Sequence, residues 1–192
     1  MIDDNRPKSA ALHPYRDADR SALLLGDYAA AWSLRPWSAD EANSVQLPSG
    51  SRQFLMSYGL PRGEAEPLSI NFMIDPPFLR VGGASTLVQI GFFGPSCILC
   101  FDEADGTVKT AGLSGDCARP INGSIEHLAM FMMLYVRYEA EANGRGLSTR
   151  ARLHLCDRLE ADLRRVDPLA FEDSEGGFWP IAIDETRSDL AS

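Results

Sequence analysis

The feature that most constrains this chain is a pair of apolar segments cut apart by turn residues and followed by one long apolar helix. Residues 87–93 (LVQIGFF) and 97–102 (CILCFD) are largely apolar on both alternating faces, as a central strand covered on both sides would be. Val88, Ile90 and Phe92 are expected on one face, and Leu87, Gln89, Gly91 and Phe93 on the other. Gly94-Pro95 breaks the chain between the two segments, and Asp105-Gly106 breaks it again; glycine takes positive φ at such a turn without steric cost. Thr107 to Thr110 then returns as a third strand. The pattern predicts an antiparallel meander.

The helix begins after Ser124, a suitable N-cap, with Glu126 in the first turn where a carboxylate favours the positive end of the helix dipole. Ile125, Leu128, Met132 and Tyr135 fall at helical spacing, with polar Glu139 next, and residues 128–136 are apolar almost all round. Such a helix is expected to be buried. It is too short, and too soon followed by charge, to cross a membrane. Asn143-Gly144 is its expected C-cap.

At 192 residues, one domain with a sizeable core is expected. The first residues are polar and lack the apolar segment of a signal peptide. Four cysteines do not make a disulfide framework in a chain this long, and a cytoplasmic location is expected. The net charge is −9. Phosphates would repel such a chain, so nucleic acid is not an expected partner; a basic protein surface is a suitable one. Only Lys8 and Lys109 are lysines, the remaining basic residues being Arg, a bias that suggests a GC-rich bacterial genome.

Residues 1–17 are expected to be flexible, 18–186 to form the domain and 187–192 to fray. Residues 19–32 predict a helix broken near Gly26, anchored by Leu23, Tyr28 and Trp32. Arg35-Pro36-Trp37 reads as loop, with Trp37 assignable either to the core or to an interface. Ser51 is the expected cap of a short helix carrying Phe54, Leu55 and Tyr58 and stopped by Gly59 and Pro61. Residues 62–67 read as a charged loop. Residues 68–75 alternate as a strand ended by Pro76-Pro77, and Gly82-Gly83 is a turn. Residues 149–166 form an amphipathic helix with an apolar stripe of Leu153, Cys156, Leu159, Leu163 and Val166. Asp167-Pro168 opens a short helical turn, and residues 179–183 read as a terminal strand.

No catalytic motif stands out. Cys97 and Cys100 have CxxC spacing, but three residues apart on a strand they face opposite ways and do not converge on a metal. The histidines, His13, His127 and His154, have no ligand-like spacing, and His127 reads as a structural residue of the helix start. The methionines of the helix read as core filler. No metal or cofactor is expected. Asp102, Glu103 and Asp105 mark a hairpin tip. A water-exposed turn does not raise a carboxylate pKa for acid–base work, but loops often carry binding.

Four stretches carry a family resemblance. SRQFLMSYGLP (51–61) resembles the "trxFL…GLP" opening of the SUKH superfamily of bacterial immunity proteins. LVQIGFFGPSCILCFDEADGTV (87–108) resembles its central "iG…icld…G.V" hairpin, and PINGSIEHLAMFMMLY (120–135) its "vNsSleqFl" helix start. RVDPLAFEDSEGGFWPIAIDE (165–185) is similar to the "iDp.A…..W..v..E" ending of the fourth SUKH subfamily. The resemblance implies a single α+β domain, with a mostly antiparallel central sheet and helices packed on it, and no enzymatic activity. It implies a cytoplasmic antidote that binds and neutralises a toxin delivered between bacteria, often a nuclease or another nucleic-acid-modifying protein.

The expectation for this chain is therefore an acidic immunity protein, monomeric or weakly dimeric, without nucleic-acid or membrane partners. It would occlude a basic secreted toxin domain. Asp102, Glu103 and Asp105, with Glu160 and Asp162 as a second choice, would stand in for phosphates toward the toxin's Arg and Lys side chains. The rival readings are a regulatory scaffold of the same fold, and a small-molecule-binding domain or enzyme with a pocket joining His127, Asp75 or Cys100.

Overall fold

In the computed structural model of this chain, residues 17–65, 68–73, 80–81, 86–143, 146–173 and 176–191 are described. The expectations for the N-terminal tail to residue 16, for Asp75, Pro76-Pro77 and Gly82-Gly83, and for Gly144 lie outside them. The chain is an α+β domain built on a six-stranded antiparallel sheet in the order β3-β4-β5-β6-β7-β8: β3 (Gly63–Ala65), β4 (Ile70–Phe72), β5 (Leu87–Phe93), β6 (Cys97–Asp102), β7 (Val108–Gly112) and β8 (Arg119–Asn122). Every strand pairs with its sequence neighbour, so the expected meander is the middle of a longer one. A two-stranded ribbon, β1 (Leu34–Arg35) with β2 (Leu60–Pro61), lies apart from the sheet.

The expected faces of β5 hold only to Ile90. The register slips between Gln89 and Gly91, so that Gln89 opposes Cys100 while Gly91 already opposes Leu99. This is a β-bulge, which inserts one residue and reverses the alternation beyond it. Val88, Ile90, Leu99 and Phe101 accordingly join the main core. Phe92 turns to the other face and is 41% exposed, while Phe93 packs edge-on against Phe178 at 4.6 Å. The outer face keeps a small apolar cluster of Leu87, Ile98, Cys100 and Ala111.

Residues 62–67 are not simply a loop: Gly63–Ala65 pairs with β4 as the sheet edge. A three-residue strand containing glycine and glutamate has no apolar alternation to read. Of the described residues of the strand expected over 68–75, Ile70–Phe72 are in the ladder; Ser69, at φ 51°, turns the chain before it. β8 forms the opposite edge. Its Pro120 lacks an N–H, which an edge strand tolerates.

Helix α4 (Ile125–Ala142) is capped by Ser124, whose Oγ accepts the His127 N–H at 3.2 Å. Residues 128–135 are all buried, because α1 (Asp17–Ala31), α3 (Ser49–Ser57), α5 (Thr149–Val166) and β8 all pack against it. Helix α1 runs through Gly26 unbroken. Its anchors are Leu24 and Tyr28, one turn apart; Leu23, the expected anchor, is 49% exposed. Trp37 belongs to the core, tilted against Phe101 at 6.1 Å. The short helix α2 (Ala39–Asn43) follows it under a capping box of Ser38 and Glu41.

Ser51 does not cap α3, whose N-cap is Pro48. It sits buried in the first turn and donates to Glu126 Oε2 at 3.0 Å. The expected terminal strand over 179–183 is instead the start of α6 (Phe178–Ala191), which also takes in most of the tail expected to fray. Pro180 falls in the first turn, where its missing N–H costs no helix bond. Trp179 and Ile183, one turn apart, are both buried. A 3-10 turn (Pro168–Phe171) links α5 to this last segment.

Candidate functional site

The β6–β7 tip is a tightly bonded turn. Gly106 N–H donates to Asp102 O at 2.7 Å, and Asp102 N–H to Thr107 O at 2.9 Å. Both side-chain oxygens of Asp102 are used inside the molecule. Oδ1 accepts from the Thr86 hydroxyl and from Ala104 N–H, and Oδ2 faces Lys109 Nζ at 2.6 Å. Burial pushes this carboxyl up, but the Lys109 ammonium, the Thr86 hydroxyl and the Ala104 N–H outweigh it and bring it down to about 2.

Glu103 is also held. Oε1 accepts from Gln46 N–H at 2.8 Å and Arg80 Nη2 at 2.8 Å, and Oε2 from Arg80 Nε at 3.0 Å. Its carboxyl lies below the usual range, first because of the bidentate Arg80 and then the Gln46 N–H. Asp105 differs. Its Oδ1 binds the N–H and hydroxyl of Thr107, while Oδ2 stands 3.9 Å from Lys109 Nζ on a side chain 53% exposed. Of the three tip carboxylates it has the most exposed side chain; Asp102 and Glu103 shape the tip beneath it. Three carboxylates against Arg80 and Lys109 leave one net negative charge, so the tip is far less acidic than its sequence.

Glu160 and Asp162 lie on α5. Glu160 bridges Arg164 of the same helix and Arg187 of α6; burial raises its carboxyl, and the two guanidiniums more than reverse that. Asp162 pairs with Arg165 at 3.3 Å. The tip carboxylates draw partners from residues 46, 80, 86, 104, 107 and 109, and the α5 pair from the helices. The expected residues thus form two separately built groups.

Among the described residues, His127 and Cys100 belong to different groups, His127 beside Asp167 and Cys100 in the small apolar cluster. Cys100 belongs to the outer-face apolar cluster, and burial pushes its thiol up to about 11, a state of low reactivity. Asp75 lies outside the described residues. Among those residues, no group of three or more His, Cys, Asp or Glu side chains is placed to hold a metal ion, and no helix is long and apolar enough to cross a membrane.

Sequence reasoning missed a buried polar group. Asp167, 2% exposed, accepts from Gly123 N–H at 2.7 Å and Asn122 Nδ2 at 3.1 Å, and its Oδ2 lies 3.4 Å from His127 Nδ1. Asn122 Oδ1 accepts the Trp179 indole N–H at 3.2 Å. The stretches 120–135 and 165–185 therefore meet at one point. The available signal was polar residues placed beside apolar runs, which by themselves read as turn and cap residues.

No curated protein and no solved structure matches the chain. The family model described as SUKH-4 immunity protein matches residues 22–185. That span takes in all eight strands and α2 to α5, with most of α1 and the start of α6; by this match over most of its length, the chain belongs to the SUKH-4 immunity protein family, whose membership implies immunity against a toxin.

Proposed function

We propose that this protein neutralises a cognate secreted toxin by stoichiometric binding, without catalysis, as a cytoplasmic monomer or weak homodimer. The toxin is a basic domain, either a nuclease or another protein acting on nucleic acid, and binding covers its active site or substrate groove. The observation that carries the reading is the family match over residues 22–185. A net charge of −9 favours long-range attraction to a basic partner and repulsion from nucleic acid.

Within that reading, the β6–β7 tip is the contact. Asp105 meets a toxin Arg or Lys directly, while Asp102 and Glu103 hold the turn in a preformed shape. Preorganisation of this kind lowers the ordering cost of binding. Glu160 and Asp162 on α5 are the second candidate surface. The test is binding kinetics with the toxin domain over a range of salt. Asp105→Lys is expected to slow association about tenfold at low salt and to flatten the salt dependence. Unchanged kinetics, with Glu160→Lys slowing association instead, would move the contact to α5. Unchanged kinetics in both variants would remove both surfaces.

A further inference from the structure

The Asp167 group joins parts of the chain that are distant in sequence. Asn122 and Gly123 come from the end of β8, His127 from the first turn of α4, Asp167 from the end of α5 and Trp179 from the start of α6. Asn122 is fully buried. Its amide is held at both ends, donating to Asp167 and accepting from Trp179, so reversing it would break both bonds. Trp179 is itself fully buried, edge-on to Phe131 at 5.0 Å and to Phe178 at 4.9 Å. The helix it begins also covers a thiol: Cys156 on α5 is fully buried, with Sγ 3.9 Å from Ile183 O.

A carboxylate buried this deeply is tolerable only while it is paired and hydrogen-bonded. Helix α6 reaches this group through the Trp179 indole, bonded to Asn122, so the hold on α6 depends on how firmly Asp167 fixes the Asn122 amide. We propose that Asp167, His127 and Asn122 form a pH-sensitive latch that holds α6 on the domain, and that opening the latch bares the Cys156 thiol while the sheet stays folded.

Glu126, next to His127 on α4, is the second charge acting on the imidazole, after Asp167. β8 and α6 bring the neutral side chains of Asn122 and Trp179. Burial raises the Asp167 carboxyl, but His127, Gly123 N–H and Asn122 outweigh it, and its pKa is lowered. Asp167 raises the His127 pKa against the effect of burial, with Glu126 adding to it. The carboxylate's contribution is complete above the ordinary Asp value of about 3.9 and lost as pH falls through its folded value; the imidazole's is complete below the ordinary His value of about 6.5 and lost as pH rises through its folded value. The latch is therefore tightest between those limits and loosens from neutral pH upward.

Peptide-resolved alkylation by N-ethylmaleimide tests this. Each cysteine's rate is normalised, at each pH, to that of the same cysteine in the urea-unfolded chain. Cys100, fully buried in the sheet, reports global opening. Normalised labelling of Cys156 is expected to rise as pH climbs from about 6 through neutrality, with Cys100 unchanged. His127→Gln should remove that rise. Asp167→Asn should speed Cys156 labelling about tenfold or more at pH about 6. Trp179→Phe, which removes the donor to Asn122 together with part of the buried indole, should act in the same direction, and serves if the Asp167 variant does not fold. Cys156 and Cys100 rising together, or a wild-type pH profile in His127→Gln, would overturn the latch.

Discussion

Pro48 lies so close to Gly106 that a Cβ on that glycine would come within 2.6 Å of Pro48 Cγ. Gly106 also has φ 78°, which L side chains rarely adopt. The β6–β7 tip is thus locked against the segment before α3, a segment that also supplies Gln46 N–H to Glu103. Gly106→Ala is expected to cost about 1–3 kcal/mol from the backbone alone. Adding Pro48→Ala should recover the part due to the clash and leave the backbone part. Urea denaturation of the single and double variants measures both.

Under the proposed contact, Asp102 serves stability and Asp105 recognition. Asp102→Asn is expected to destabilise the fold by about 1–3 kcal/mol. Because the Asp102 carboxyl is lowered to about 2, its contribution is complete above about pH 3.9 and is lost as pH falls toward the folded value. The variant should therefore lose stability at neutral pH and show a shallower acid transition. Asp105→Asn should leave stability within about 0.5 kcal/mol and slow toxin association. Acid titrations of unfolding beside binding kinetics check the division.

Gly26 is exposed within α1, and a Cβ there would meet nothing within 4 Å. Gly26→Ala should raise stability by about 0.5–1 kcal/mol, through helix propensity and the reduced freedom of the unfolded chain. The shift in denaturation midpoint measures it. No gain would mean that α1 is not helical through this position in solution.

Arg187 reaches Asp157, Glu160 and Asp184 from α6. These pairs are partly exposed, so Arg187→Ala should cost about 1 kcal/mol or less, and less again at high salt. The change also releases Glu160 Oε2, while Oε1 keeps Arg164. If α5 contacts the toxin, association should speed up; if the β6–β7 tip does, it should not. Thermal unfolding at two salt concentrations and one association series read out both effects.

The centre of the fold was legible because its signals are local. The β5 and β6 segments, the Asp105-Gly106 turn and the Ser124 cap each occupy a few adjacent residues. The bulge at Ile90 was not legible, since it depends on pairing between strands and adds no residue type of its own. The 179–183 segment has the Trp and Ile content of a strand, whereas its i, i+4 pair of Trp179 and Ile183 faces one core. The acidic tip was legible as a list of carboxylates but not as a charge. The cations that neutralise most of it, Arg80 and Lys109, arrive from a separate segment and from the facing strand. For the same reason Asp167 read only as the start of a short helix, since its partners lie 44 and 45 residues earlier in the chain.

The central claim is tested most directly by co-expressing this chain with the C-terminal domain of a secreted toxin found encoded beside it, and then weighing the purified product. The account predicts that growth is rescued and that the two chains elute as one complex of equal stoichiometry. A toxin domain shown to be active that is neither neutralised nor bound would contradict it.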